Sequence, residues 1–131
     1  MYGTVCPRVF VEDVEGVLVA SLVDGELLEQ GVIGEVDDQL IELSGWVGAS
    51  DILLSFRDVQ LMSSTLLAVL LRFGRTVSRS GGRLKLCSIA PHLLEVFRIT
   101  RFDRLFAIYP DEASALCAFE AERTEPRRNL L

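Results

Sequence analysis

One histidine and three cysteines are the only imidazole and thiol side chains among these 131 residues. That scarcity limits the chemistry. Cys6, Cys87 and Cys117 lie far apart with no CxxC spacing, and His92 has no ligand companion nearby, so neither a zinc site nor a disulfide framework fits. Cys87, in an alternating apolar stretch, and Cys117, in a helical one, read instead as small buried thiols. Long apolar runs are missing as well. Val17 to Ala20, the longest near the front, falls far short of the roughly 20 residues that cross a bilayer. No basic segment with a small-residue cleavage site precedes it, so no signal peptide is read and the expected location is the cytoplasm, without a membrane partner. Basic residues are outnumbered 13 to 19, for a net charge of −6. An acidic surface repels phosphate backbones, and nucleic acid is not expected as a partner.

Catalytic constellations are absent too. The glycines and basic residues between Gly74 and Gly81 lack a GK[ST] ending and follow a helix, where a phosphate loop follows a strand. His92, beside a proline at a helix start, has no triad spacing and reads as a surface or cap residue. Asp37, Asp38 and Glu42 share a helix face, which is better explained as a solvated surface than as a metal or acid/base cluster. No enzyme, metal or cofactor is expected.

What is present is the composition of one soluble domain, half hydrophobic and a quarter charged. RVFVEDVEGVLVASLVDG reads as a hairpin turning at Glu15-Gly16. Residues 34 to 44 form a helix, with Val36, Leu40, Ile41 and Leu43 at helical spacing and Glu35, Asp37 and Asp38 in its first turn. Asp51 to Phe56 is a nearly continuous apolar run, the pattern of a central strand covered on both faces. Ser64 to Ser80 is an amphipathic helix that buries Leu66, Val69, Leu70, Phe73 and Val77 and exposes Arg72, Arg75 and Arg79. Gly81-Gly82 closes it. Residues 83 to 89 alternate as a strand. Pro91 opens a short helix with Leu93, Leu94, Val96 and Phe97 on its apolar side. Phe106 to Tyr109 is a last strand, and Pro110-Asp-Glu opens a last helix through Ala113, Leu116, Cys117 and Phe119. Residues 121 to 131 lose the period and read as a frayed tail. Trp46, in SGWVG, reads either as a core plug or as an exposed anchor. Alternating strands and helices make the fold class α/β: a mixed, mostly parallel sheet with right-handed crossovers, helices packed on it and an N-terminal antiparallel hairpin.

Within QLMSSTLLAVLLRFG, three hydroxyls, Ser63, Ser64 and Thr65, stand directly in front of a strongly apolar helix. A hydroxyl there caps free backbone N–H groups, and a phosphate there meets the positive end of the helix dipole. Ser63 reads as the cap. The loop ELLEQGVIG carries apolar residues that an ordinary loop need not expose; Leu27 reads as packed, and Val32 and Ile33 either as packed or as part of a partner surface.

The stretch from Ile52 to Phe119 combines a strand ending in a D-V-x-x-M turn, hydroxyls opening the next helix, GGRLKLCSI, and P-x-x-x-x-V-F. Together these resemble a STAS domain of the bacterial anti-sigma factor antagonist type, which would occupy residues 1 to 120. The resemblance implies a protein that binds an anti-sigma factor with serine/threonine kinase activity when unmodified and releases it when phosphorylated. Laying the family segment M-D-S-S-G-L-G on residues 62 to 68 places the acceptor at Thr65, with Ser64 beside it. The implied partner surface is Ser63, Ser64, Thr65 and Leu66, joined by Val32 and Ile33. Ser63 replaces the family's acidic residue, and Leu66 and Ala68 replace glycines. Two alternatives stay open: a STAS scaffold or sensory subunit that is never phosphorylated, and a small-ligand binder using a crevice at the strand ends.

Overall fold

Glu15 and Gly16 both take left-handed backbone conformations, with φ of 54° and 87°. This two-residue turn joins β1 (Val9–Val14) to β2 (Val17–Leu22) as an antiparallel hairpin, because its twist matches that of the strands. The computed structural model describes residues 8–47 and 51–124, without the side chains of 46, 47 and 124. Cys6, the Trp46 side chain and residues 125–131 of the expected tail therefore lie outside the described residues. From the hairpin a five-stranded sheet grows in the order β1-β2-β4-β6-β7, with β4 (Asp51–Ser55), β6 (Arg83–Cys87) and β7 (Ala107–Tyr109) parallel to β2. The fold is the expected α/β class with its mixed sheet.

Four helices cover the sheet. α1 (Gln30–Val47), α2 (Ser64–Arg79) and α3 (Pro91–Ile99) bury Ile33, Val36, Leu40, Leu43, Leu66, Leu70, Phe73, Val77, Leu93 and Phe97 in one large core. α4 (Glu112–Thr124) covers the opposite face, where Ala115 and Phe119 meet Val17, Val19, Leu53 and Cys87. All five residues of β4 are buried, as its apolar run requires.

Several elements differ from the sequence reading, and packing explains most of the differences. α1 begins one turn earlier than residue 34, because its buried stripe starts at Ile33; Glu35, Asp37 and Asp38 consequently lie inside the helix, not in its first turn. A Cβ at its outward glycines 31, 34 and 45 would meet nothing within 4 Å, and each glycine costs about 1 kcal/mol relative to alanine, which the apolar stripe outweighs. In α3 only Leu93 and Phe97 are buried, since the helix touches the core along one narrow edge; Leu94 and Val96 face outward. Cys117 is exposed, whereas Cys87 is buried.

The last helix runs to Thr124, so residues 121–124 are not a frayed tail. Polar anchors hold them. Lys85, at a central position of β6, is 4% exposed. Its ammonium donates to Glu122 at 2.7 Å and sits 5.3 and 5.0 Å from the ring centres of Tyr109 and Phe119. Arg83 bonds both oxygens of Asp51 and one of Glu122; Arg123 bonds Asp51 and the carbonyls of Glu15 and Gly16. Burying a lone ammonium is expensive, so the pair with Glu122 is what lets Lys85 stay inside.

Removing one partner of a fully buried pair costs about 3–5 kcal/mol. Glu122 is partly wet, so Glu122→Ala is expected to cost roughly 2 kcal/mol, and Lys85→Met, which removes the charge itself, less. Urea denaturation of both variants checks the order. At the other end of α4, the Asp111 carboxylate accepts the Ser114 backbone N–H at 2.7 Å, and this bond, aided by the Ser114 hydroxyl, holds its pKa below the ordinary carboxylate value. A lowered folded-state pKa means stability that is present above the unfolded pKa and lost as pH falls through the folded one. The melting-temperature gap between wild type and Asp111→Ala is expected to be open at neutral pH and to close below about pH 4.

Candidate functional site: the hydroxyl-bearing start of α2

The segment between β4 and α2 is pinned at every step. The Phe56 N–H donates to the Cys87 carbonyl, and Phe56 and Val59 are fully buried. The Gln60 and Leu61 N–H groups both donate to the Gly25 carbonyl, at 2.7 and 3.1 Å. A short parallel ladder, β3 (Glu26–Leu27) with β5 (Leu61–Met62), follows, and the Ser63 N–H donates to Leu27 at 2.9 Å. The His92 ring meets the Gln60 carbonyl through Nε2 at 2.5 Å. His92 therefore braces this loop from α3. None of these braces is visible in the local sequence, because each partner is about 30 or more residues away.

Ser63 occupies the N-cap position with extended backbone, φ −92° and ψ 165°, but its hydroxyl makes no capping bond. Its Oγ is buried without a hydrogen-bond partner. The expected cap is thus a cap by backbone position only, since the ladder to Leu27 fixes the residue and turns its side chain inward. Ser64 and Thr65 form the first turn itself, and both are exposed. No hydrogen bond of either hydroxyl is found among the described residues, and the helix start is not shielded by any acidic side chain in its own first turn.

The residues expected beside the hydroxyls divide sharply. Leu66 is fully buried, and Ile33 is 2% exposed; both belong to the core and neither can offer its side chain to a partner. The sequence places Ile33 in a loop, whereas the early start of α1 turns it inward. Val32 is half-buried at the edge of that core. The apolar surface near the hydroxyls comes instead from Leu28 and Leu61, 46% and 43% exposed, at the two ends of the β3–β5 ladder. Sequence reading missed them because a two-residue ladder leaves no periodic signal.

Other chemistries find little footing. Burial raises the pKa of the Cys87 thiol, which removes it as a nucleophile near neutral pH. Among the described residues, no group of three His, Cys, Asp or Glu side chains could hold a metal, and no helix is long and apolar enough to cross a membrane. A cavity of about 550 Å³ lies between α2 and the start of β6, lined by Leu71, Gly74, Arg75, Ser78, Leu84 and Phe106. It is at the opposite end of β6 from the strand-end crevice of the ligand-binding alternative.

A mixed-sheet α/β domain with a braced, hydroxyl-bearing helix start is the architecture in hand. Residues 13–115 match the STAS domain family, and the chain belongs to it. It is 27% identical over 117 residues to BtrV of Bordetella bronchiseptica, named as an anti-sigma factor antagonist, covering 86% of this chain and 95% of that one. A STAS domain protein of Planctomyces limnophilus has the same fold, with a TM-score of 0.75 at 21% identity over 84% of this chain and 95% of that one. So does SpoIIAA, a Bacillus cell fate determinant, in its phosphorylated form: TM-score 0.64 and 17% identity over 85% and 98% of the two chains.

Because the Ser63 hydroxyl is buried and unbonded, Ser63→Ala is expected to change stability by less than about 0.5 kcal/mol or to raise it, where loss of a working serine cap costs about 1 kcal/mol. Thermal denaturation distinguishes the two.

Proposed function

We propose that the chain is an anti-sigma factor antagonist, a non-enzymatic regulator whose partner is an anti-sigma factor with serine/threonine kinase activity, and that phosphorylation of Thr65, or of its neighbour Ser64, releases that partner. The observation that carries this reading is the exposure of both hydroxyls on a helix start that the rest of the domain holds in place. The name of BtrV and the fold shared with phosphorylated SpoIIAA support it. A cytoplasmic setting accords with such a partner.

The physics follows from the helix end. A phosphate adds about −1.5 to −2 charges and three acceptor oxygens. The free N–H groups and positive dipole end of α2 stabilise that charge, so the domain itself need not refold. A partner packed on Leu28, Leu61 and the hydroxyls would instead bury an uncompensated charge and bulk. About 3 kcal/mol of that cost lowers affinity more than 100-fold. The departures from the family segment weigh unequally: Leu66 points into the core and leaves the acceptor uncrowded, whereas Ser63 removes a carboxylate outright. That loss favours the second reading, a scaffold that binds its partner without being phosphorylated.

Incubation of the protein with ATP and lysate of its host, followed by phosphopeptide mapping over residues 60–72, is expected to find phosphate on Thr65 or Ser64. A negative result with a labelled control substrate selects the scaffold. With the partner in hand, Thr65→Glu is expected to weaken binding at least 100-fold with an unchanged circular dichroism spectrum, and Thr65→Ala to retain it.

A further inference from the structure

The charges of this acidic protein are strongly segregated. Residues 8–56 hold one basic and eleven acidic side chains, a net −10, whereas residues 57–104 hold nine basic and three acidic, a net +6. In the fold, α1 and α2 bring the two kinds side by side. Both cross over on the same face of the sheet between parallel strands, so they run in the same direction. The outward side of α1 carries Asp38 and Glu42, and that of α2 carries Arg75 and Arg79, all four exposed. Among the described residues none of the four has an ion-pair partner. The pair across the seam is Arg72 with Asp37, at 2.6 Å, and it sets the two helices level.

We propose that this α1–α2 face is a self-association surface, on which a second copy of the chain docks with its acidic α1 over the basic α2 and its basic α2 over the acidic α1. Parallel stripes of opposite sign are self-complementary under a two-fold axis that lies in the contact plane along the helices. The levels agree. Counting 1.5 Å per residue from the Asp37–Arg72 pair, Asp38 lies within about 3 Å along the axis of Arg75, and Glu42 within about 3 Å of both Arg75 and Arg79. Ile41, 56% exposed between the two acids, supplies an apolar contact, and the outward glycines 31, 34 and 45 of α1 let another helix come close. A face about 27 Å long and two helices wide covers roughly 500 Å² per protomer, or about 1,000 Å² in total, at the low end for specific contacts. The dimer is therefore weak, concentration-dependent and salt-sensitive.

Sedimentation velocity of the full chain from about 10 to 500 μM is the test, at roughly 50 mM and 500 mM salt, conditions chosen to span the screening range. Expected is a dimer that grows with concentration at low salt and dissociates at least tenfold more readily at high salt. Arg75→Glu with Arg79→Glu, or Asp38→Arg with Glu42→Arg, is expected to leave monomers of unchanged circular dichroism. All four substitutions together restore both complementarity and the native net charge, and are expected to restore the dimer. A wild type that stays monomeric, a dimer indifferent to salt or to either reversal, or a fourfold variant that stays monomeric overturns the proposal.

Discussion

Everything in this domain is arranged around β4, a strand whose five residues are all buried. A strand covered on both faces must have every backbone group paired and every polar side chain answered. Pairing with β2 on one side and β6 on the other meets the first demand. The second is met at Asp51, where Arg83 and Arg123 converge on one carboxylate, and this in turn ties the last helix and the first hairpin to the bottom of the sheet. The same strand ends at Phe56, whose burial and bond to Cys87 start the braced passage to α2.

That passage is what turns a fold into a surface. A helix start presents free N–H groups wherever it occurs, but its use as a recognition feature depends on being held still. Here the holding is distributed over backbone bonds to Gly25 and Leu27 and the His92 ring on Gln60. The hydroxyls of Ser64 and Thr65 are left outward on rigid support, while Ser63, nearest the ladder, is turned in. The proposed function requires no pocket and no perturbed acid or base; it requires an exposed group whose modification changes what can pack on it.

Much of this was legible in the residues. The Glu15-Gly16 turn, the continuous run of β4 and the Leu66, Leu70, Phe73, Val77 stripe each carry a local signal strong enough to fix an element and its buried side. The helix behind the hydroxyls was legible for the same reason. Less legible was anything decided by partners far along the chain: the early start of α1 at a glycine-rich stretch, the exposure of Leu28 and Leu61, the burial of Lys85 and the persistence of α4 to Thr124. Gly31 lies ahead of the helix read from residue 34, and only the core around Ile33 outweighs the helix cost of the glycines there. Lysine is rarely buried, and only Glu122 with two aromatic rings makes the burial of Lys85 possible.

The alternation of strands and helices, the family segment and the hydroxyl cluster are all readable from the residues alone, because these rest on periodicity and on chemistry within a few residues. Tertiary structure decided which of the clustered residues face out: Thr65 and Ser64 do, Leu66 and Ile33 do not, and Ser63 loses its capping bond. The physical reason is that side-chain direction at an element's edge is set by the backbone bonds that fix that edge. Here those bonds reach from residues 60–63 back to Gly25 and Leu27, and the His92 side chain braces Gln60 as well.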